Sequence, residues 1–280
     1  MADIKRTNIF AAILMYLIVI IFTILAIYPI FWLVIQSFKT TQEYMTASKL
    51  AMPVRWFFGN YPWAWTVGKF STLILNSVFY TSVTVISIII LSFMAGFAFA
   101  KLPSKLTPVL HGSFIIGILL TLQSILVPLF LMINAVGLYD TRLGVLIPYI
   151  GIGLPMSVYL SAEYIKSIPD SILESARLDG AKYFRIFRSI ILPISSPVAA
   201  TVAIITTTGT WNEFILINIL VAKNELKSLP VGINMFSGAL ASDFGKQFSA
   251  LVIGMLPMII FYALFRKQIT KGVSAGAVKG

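Results

Sequence analysis

Apolar residues in this chain come in long, unbroken runs, and the polar positions are gathered between them. Runs from about Asn8 to Gln36, Thr72 to Ala100, Pro108 to Asn134, Leu143 to Ala162, Ile194 to Val221 and Phe248 to Phe265 each hold 18 residues or more. A helix needs roughly 20 mainly apolar residues to cross the hydrocarbon core, where its backbone polar groups must be satisfied internally. The runs lack the period-two alternation of half-buried strands, so the pattern predicts an all-α membrane protein with six transmembrane helices. The first run exceeds the roughly 7 to 15 apolar residues of a signal peptide and is expected to stay in the mature protein.

The connections differ in character. Residues 37–71 carry Trp56, Phe57, Phe58, Tyr61, Trp63 and Trp65, aromatics of the kind that settle at the headgroup level, so this segment is either interfacial or a contact for an external partner. Residues 222–247 contain Pro230, Gly232, Gly238 and Gly245, which are expected to interrupt regular structure in an external loop. Pro128, Pro148, Pro155 and Pro257 fall inside runs and predict kinks.

One extended polar segment lies between the fourth and fifth runs, beginning Ser167-Ile168-Pro169-Asp170-Ser171. Proline suits a first helical turn, and Ser171 with Glu174 has capping-box spacing, so a helix should start here. Ile172, Leu173 and Ala176 then share one face, and Asp170, Glu174 and Arg177 another. Gly180 supplies a stop. Tyr183, Phe184, Phe187, Ile190 and Ile191 follow at helical spacing opposite Lys182, Arg185 and Arg188, which predicts a basic amphipathic helix on the inner membrane surface. By periodicity alone the pair is either a cover over the ends of the spans or a coupling element that fits a groove on a cytoplasmic protein and moves with it, the small Ala176 allowing close approach.

Composition narrows the classes. Hydrophobic residues make up 58% of the 280 and charged residues 11%, against about 25% charged in a soluble domain. The net charge of +11 is spread through short loops instead of forming a dense patch, so no nucleic-acid partner is expected. With the N-terminus inside, thirteen of the 21 lysines and arginines fall on the cytoplasmic side and eight opposite, which favours both termini in the cytoplasm. No cysteine is present, which removes disulfides, thiolate chemistry and a cysteine metal site, and the lone His111 reads as a loop or interface residue and not a ligand. No Gly-x4-Gly-Lys-Ser/Thr phosphate loop occurs, so ATP can act only through another polypeptide.

Glu213 is the acid that clearly falls inside an apolar run, and such a group is costly unless paired, protonated or wetted. Trp211 and Asn212 beside it could add a stacking face and an amide. The trio is a candidate substrate pathway or gate; equally, Glu213 could sit near the outer interface bonded to a partner subunit or water. Neighbouring helix residues point about 100° apart, so all three cannot face one ligand equally. Gln123, Asn134 and Asn218 fit helix-to-helix hydrogen bonding.

Residue order adds a resemblance. Glu174-Ser175-Ala176, three residues, Gly180, nine residues, Ile190, one residue and Leu192-Pro193 resembles the EAA loop of ABC importer permeases, with Ser175 where alanine is usual. Trp211-Asn212-Glu213-Phe214, Leu229-Pro230-Val231-Gly232 and the terminal Gly276-Ala277-Val278-Lys279-Gly280 extend it toward the MalG-like carbohydrate branch. The resemblance implies a type I, MetI-like permease of the bacterial inner membrane: a first helix and external segment over 1–70, a transmembrane domain over 71–268 with its EAA loop at 167–193, and a cytoplasmic tail over 269–280. It implies a transport subunit and not an enzyme, moving a carbohydrate, with a di- or oligosaccharide as the expectation, by alternating access. Its implied partners are a second homologous permease, two nucleotide-binding ATPase subunits carrying ATP and magnesium, an extracytoplasmic substrate-binding protein, which the loop between the last two spans reaches toward, and the lipid bilayer. Glu174, Ser175, Ala176, Gly180, Leu192 and Pro193 are carried over as the ATPase-coupling residues, and Gly276, Ala277, Val278, Lys279 and Gly280 as a tail that contacts the ATPase. No cofactor is expected on this chain itself. An ion-gradient-coupled transporter is the alternative, although such carriers usually need a series of buried ionisable groups; an intramembrane enzyme lacks any visible nucleophile and base pair.

Overall fold

The computed structural model describes residues 9–102, 104–239 and 243–277, and among them the secondary structure is helical with no strand. The helices are α1 (Ile9–Gln36), α2 (Thr41–Thr46), α3 (Asn60–Val67), α4 (Phe70–Lys101), α5 (Thr107–Ile118), α6 (Leu122–Ala135), α7 (Arg142–Lys166), α8 (Asp170–Leu178), α9 (Tyr183–Ile186), α10 (Leu192–Ile194), α11 (Ser196–Asn212), α12 (Ile215–Leu220), α13 (Leu229–Ala239) and α14 (Phe244–Ala277). Four are long and apolar enough to cross a bilayer: Ala12–Gln36, Phe70–Lys101, Arg142–Lys166 and Phe244–Arg266. Two further apolar pairs are sharply bent, and counting each as one span gives six.

The bends correct two expected runs. The third run is not one helix: α5 and α6 meet at 108°. Thr121 is extended there, and its hydroxyl lies 2.8 Å from that of Ser124, starting α6 afresh. The fifth run is broken twice. The rod Tyr183–Ile194, in which a π turn at Phe187–Ile191 joins α9 to α10, meets α11 at 75°. Pro197 has no N–H to give the carbonyl four residues back, so the helix cannot continue straight. Its second break falls at Glu213 and Phe214. Over 222–247 the interruption expected at Pro230 and Gly232 does not occur, because α13 runs through both. Proline occupies its first turn, where the missing N–H costs nothing. At Gly232 a Cβ would stand 2.1 Å from Leu73 Cδ1, so a larger residue there would have to displace the Leu73 side chain.

The described residues form two compact units, described separately: one of residues up to Lys69 with Ile233–Leu256, the other of Phe70–Gly232 with residues from Pro257 on. In the first unit the buried Asn60 amide donates to the carbonyls of Ser37 and Lys39 at 2.8 and 2.9 Å, and Thr41 donates to Asp243 at 2.7 Å. Burial holds the Lys39 amine below the ordinary lysine range, with Glu43 opposing the shift and Lys49 adding to it.

The second unit is built on α4 against α7. The two helices approach tightly at Gly96, where a Cβ would come within 2.6 Å of Ser161 Oγ and 2.9 Å of Ala162 N. The buried Ser161 hydroxyl reaches the Ser92 carbonyl across the pair at 2.7 Å. Lipid tails compete with apolar contacts, so small residues and interhelical hydrogen bonds carry such a seam. Gly117 brings α5 against Pro155 in the same way, and His111 stacks near Phe99. Two apolar clusters flank the seam. One joins Ile88, Phe93 and Phe97 of α4 to Ile165, Ile186 and Ile191; the other joins Tyr80 to Ile133, Val145, Tyr149 and Leu216. From Asn76 to Lys101 α4 spans about 38 Å at 1.5 Å per residue, so the groups gathered at its two ends are a membrane thickness apart.

Candidate functional site

At the Lys101 end of α4, α8 is held from below. Leu173 and Ala176 are buried and pack with Ile168, Ile186 and Phe187. Lys101 Nζ donates to the Ile168 carbonyl at 2.6 Å and to Asp170 at 2.7 Å, its side chain 4% exposed against 75% for the aspartate. The helix starts after Pro169, which has extended backbone. The Ser171–Glu174 capping box is therefore not formed, since Ser171 already lies inside the first turn. Ile172, expected to share a face with Leu173 and Ala176, is exposed where they are buried.

Gly180 ends α8. Its φ is +78°, its N–H donates to the Arg177 carbonyl at 3.0 Å, and the N–H of Ala181 reaches back to that of Ala176 at 3.0 Å. These are the two bonds of a Schellman stop, which needs a residue in left-handed backbone. Ala181 also packs against the cluster that holds Ala176, completing the apolar contact of the motif. Ala176 is thus turned inward, and its small size serves this chain's own packing, not the close approach of a partner expected from the sequence.

What α8 presents outward is Glu174, Ser175, Arg177 and Leu178, the last 89% exposed. Ser175 Oγ is spent on the Ser171 carbonyl at 2.9 Å. Arg177 lies over the Tyr183 ring at 5.3 Å, and together with Ala181, Lys182 and Phe184 they line a depression of about 480 Å³. Tyr183 and Phe184, expected among the membrane-facing residues of the second piece, are exposed, while Ile186, Phe187 and Ile191 are buried. Leu192 is half-buried and Pro193 exposed, both at the entry to the 75° bend. Tyr164 donates to the Ile194 carbonyl at 3.1 Å beside that bend. The result is a short rigid helix with charged and apolar groups outward, anchored at Lys101 and stopped at Gly180.

Toward the other end of the seam, Glu213 sits in the break between α11 and α12. Its Oε1 accepts the Leu216 N–H at 2.7 Å, and its Oε2 accepts the Ile217 N–H at 3.3 Å and the Tyr149 O–H at 2.8 Å. The first N–H groups of a helix have no internal partner, so this side chain satisfies α12 while bonding α7. It also borders a cavity of about 310 Å³ shared with Tyr149, Ser157, Thr206 and Thr210. Trp211 is buried and faces a different, apolar cavity of about 550 Å³ with Val78, Thr81, Met258 and Phe261. Asn212 is exposed and donates to the Thr208 carbonyl of its own helix at 2.9 Å. The structure therefore separates the trio. Tyr149 is the partner that sequence reasoning missed; a tyrosine within an apolar run needs a partner for its hydroxyl, and that was the available signal.

Beyond α12 the chain is clamped to α4 and to the turn before α7. Asn76 Nδ2 lies 2.7 and 3.0 Å from the carbonyls of Glu225 and Lys227, and Tyr80 donates to that of Leu226 at 2.9 Å. Asp140, at φ +59°, accepts the N–H groups of Ala222 and Lys223 at 3.0 and 2.9 Å and pairs with Lys223 Nζ at 3.3 Å. The Lys223 amide, with its ammonium and the Ala222 amide, outweighs desolvation and holds the Asp140 carboxyl below the usual range. Among the described residues no group of three His, Cys, Asp or Glu side chains is placed to hold a metal. Of the expected tail contacts, Gly276 and Ala277 close α14, and Val278, Lys279 and Gly280 lie outside the described residues.

Comparison with known proteins places this geometry. Residues 89–274 match the family described as binding-protein-dependent transport system inner membrane component. The chain is 30% identical over 259 residues to the trehalose transport system permease protein SugB of Mycobacterium tuberculosis, covering 91% of this chain and 93% of that one. It is 29% identical over 272 residues to the diacetylchitobiose uptake system permease protein NgcG of Streptomyces coelicolor, covering 96% and 89%. Its fold is similar to a chain of a bacterial ABC transporter involved in the import of the acidic polysaccharide alginate, with a TM-score of 0.82, 23% identity, and coverage of 95% of this chain and 99% of that one.

Proposed function

This chain belongs to the family of binding-protein-dependent transport system inner membrane components, and from that premise we propose that α8 is the element through which a separate ATPase drives it to pass a carbohydrate across the membrane. It is a multi-pass transport subunit of the inner membrane and works with an ATPase and a substrate-binding protein. Sugar as cargo is supported by relatives named for trehalose and diacetylchitobiose transport, with a di- or oligosaccharide the class expected. A second homologous permease completes the channel, and two ATPase subunits carry the ATP and magnesium.

The observation that carries the coupling role is the exposure of Glu174, Arg177 and Leu178 on a helix whose other face is fixed to the transmembrane seam. A docked partner that shifts α8 would push on Ile186, Phe187 and the bend before α11, because packed elements move as bodies. Glu174 and Ser175 supply the docking face, Gly180 and Ala176 its rigid stop, and Leu192-Pro193 the joint to α11. Glu213, at the far end of α11, stands where that motion would open or close the pathway; Trp211 and Asn212 flank it without sharing its cavity.

Reconstitution tests this assignment. With the ATPase, binding protein and partner permease in liposomes, uptake should require ATP, and Glu174→Lys should abolish it while leaving membrane insertion intact. Uptake driven by an ion gradient without the ATPase would overturn the proposal. Ligand screening of the cognate binding protein identifies the sugar.

A further inference from the structure

We propose that residues 50–58 form a fixed apolar loop that inserts into the lipid interface where α1 leaves the membrane. The loop exposes Leu50, Met52, Val54, Trp56, Phe57 and Phe58, with Val54 91% and Leu50 75% exposed. A contiguous apolar patch of this kind is not left facing water, and three independent features point to lipid as its cover.

The first is position. Trp32 Nε1 and Gln36 Nε2, both in the last turns of α1, donate to the Lys49 carbonyl at 2.8 and 3.0 Å. At 1.5 Å per residue α1 is about 42 Å long, and the hydrocarbon core is about 30 Å thick. Sharing the surplus between its two ends puts Trp32 and Gln36 in the boundary layer, and the chain leaves Lys49 directly into the apolar loop. The second is rigidity. Glu43 Oε1 accepts the Val54 N–H at 2.6 Å, the Phe57 N–H donates to the Phe38 carbonyl at 2.8 Å, and Pro53 is buried. With the backbone pinned at these points, the apolar side chains cannot fold inward. The third is composition. Phe38 packs at a steep angle against Trp56 and Phe58 with ring centroids 5.1 Å apart in each case, and the exposed Arg55 stands among them. Aromatic rings beside a cation suit the headgroup layer, where rings sit half-immersed and a guanidinium meets lipid phosphate.

The loop would thus fix the depth and tilt of α1, whose apolar side chains are exposed around the helix from Ile13 to Phe31. The chain contains no cysteine, which gives a clean test. Nitroxide labels on Met52→Cys and Val54→Cys, in the assembled transporter reconstituted in phosphatidylcholine and phosphatidylglycerol vesicles, are compared with one on Phe22→Cys in mid-helix. Both sites are exposed, so the labels replace no packing contact. Oxygen should relax the loop labels more than a water-soluble nickel complex does, at a depth shallower than Phe22. Relaxation dominated by nickel would place the loop in water, and shielding from both reagents would place it against a protein; either result overturns the proposal.

Discussion

The phenolic O–H of Tyr149 donates to Oε2 of Glu213 across 2.8 Å, so the break between α11 and α12 is tied to α7 by the same side chain that caps α12. Loss of that bond in Tyr149→Phe should cost about 1 kcal/mol. Glu213→Gln should cost a similar amount, about 1 kcal/mol, because the amide cannot accept both helix N–H groups as two oxygens do. Thermal unfolding of the two single variants and the double should give a non-additive cycle. Unchanged ATP-driven uptake with unchanged coupled ATP hydrolysis in Glu213→Gln would remove this residue from the mechanism.

Gly180 should tolerate size better than it tolerates chirality. No atom lies within 4 Å of where its Cβ would be, so the cost of substitution is the left-handed backbone, about 1–2 kcal/mol for alanine. Asparagine, which enters that region more readily, should retain more coupling than alanine, and valine the least. The ratio of sugar transported to ATP hydrolysed checks the order, and equal coupling in all three variants would refute a conformational role.

The pair Lys101–Asp170 should behave asymmetrically. Asp170 is largely exposed, so Asp170→Asn should change stability by less than about 1 kcal/mol. Lys101→Met removes the donor to the Ile168 carbonyl as well, a loss of about 1–3 kcal/mol if that carbonyl is left unpaired, and should loosen α8. Proteolysis at 179–182 in the two variants measures the difference.

Asp140 makes the 221–223 turn sensitive to acid. Its carboxyl titrates lower in the folded chain than in the unfolded one, so the stabilisation is complete above the unfolded value near pH 3.9 and is lost as pH falls through the folded value. Exchange protection of the Ala222 and Lys223 amides, corrected for intrinsic rates, should fall only in that strongly acidic window. Asp140→Asn should abolish the dependence.

The two kinds of information divide along the range of the interactions. Hydrophobic runs showed where helices begin and end at α1, α4 and α7, because burial in lipid needs length and apolarity alone. The turn at Gly180 was legible for a similar reason: a left-handed stop depends on a single residue type. The 108° bend after α5 was not, since its apolar composition continues through Leu119 and Leu120 and only Thr121 marks the new start. The same limit applies to α13, where Pro230 and Gly232 look like breakers until one occupies a first turn and the other packs on Leu73.

By itself the sequence determined the membrane class and the order of the spans, which follow from local chemistry, and it carried the spacing from Glu174 to Pro193 that resembles an EAA loop. Tertiary structure alone decided which faces matter. It turned Ala176 inward and Leu178 outward, gave α8 its anchor in Lys101, 69 residues before Asp170, and assigned Trp211 and Glu213 to different cavities. A side chain's partner is set by how distant helices pack, and periodicity along one helix carries no record of what lies across from it.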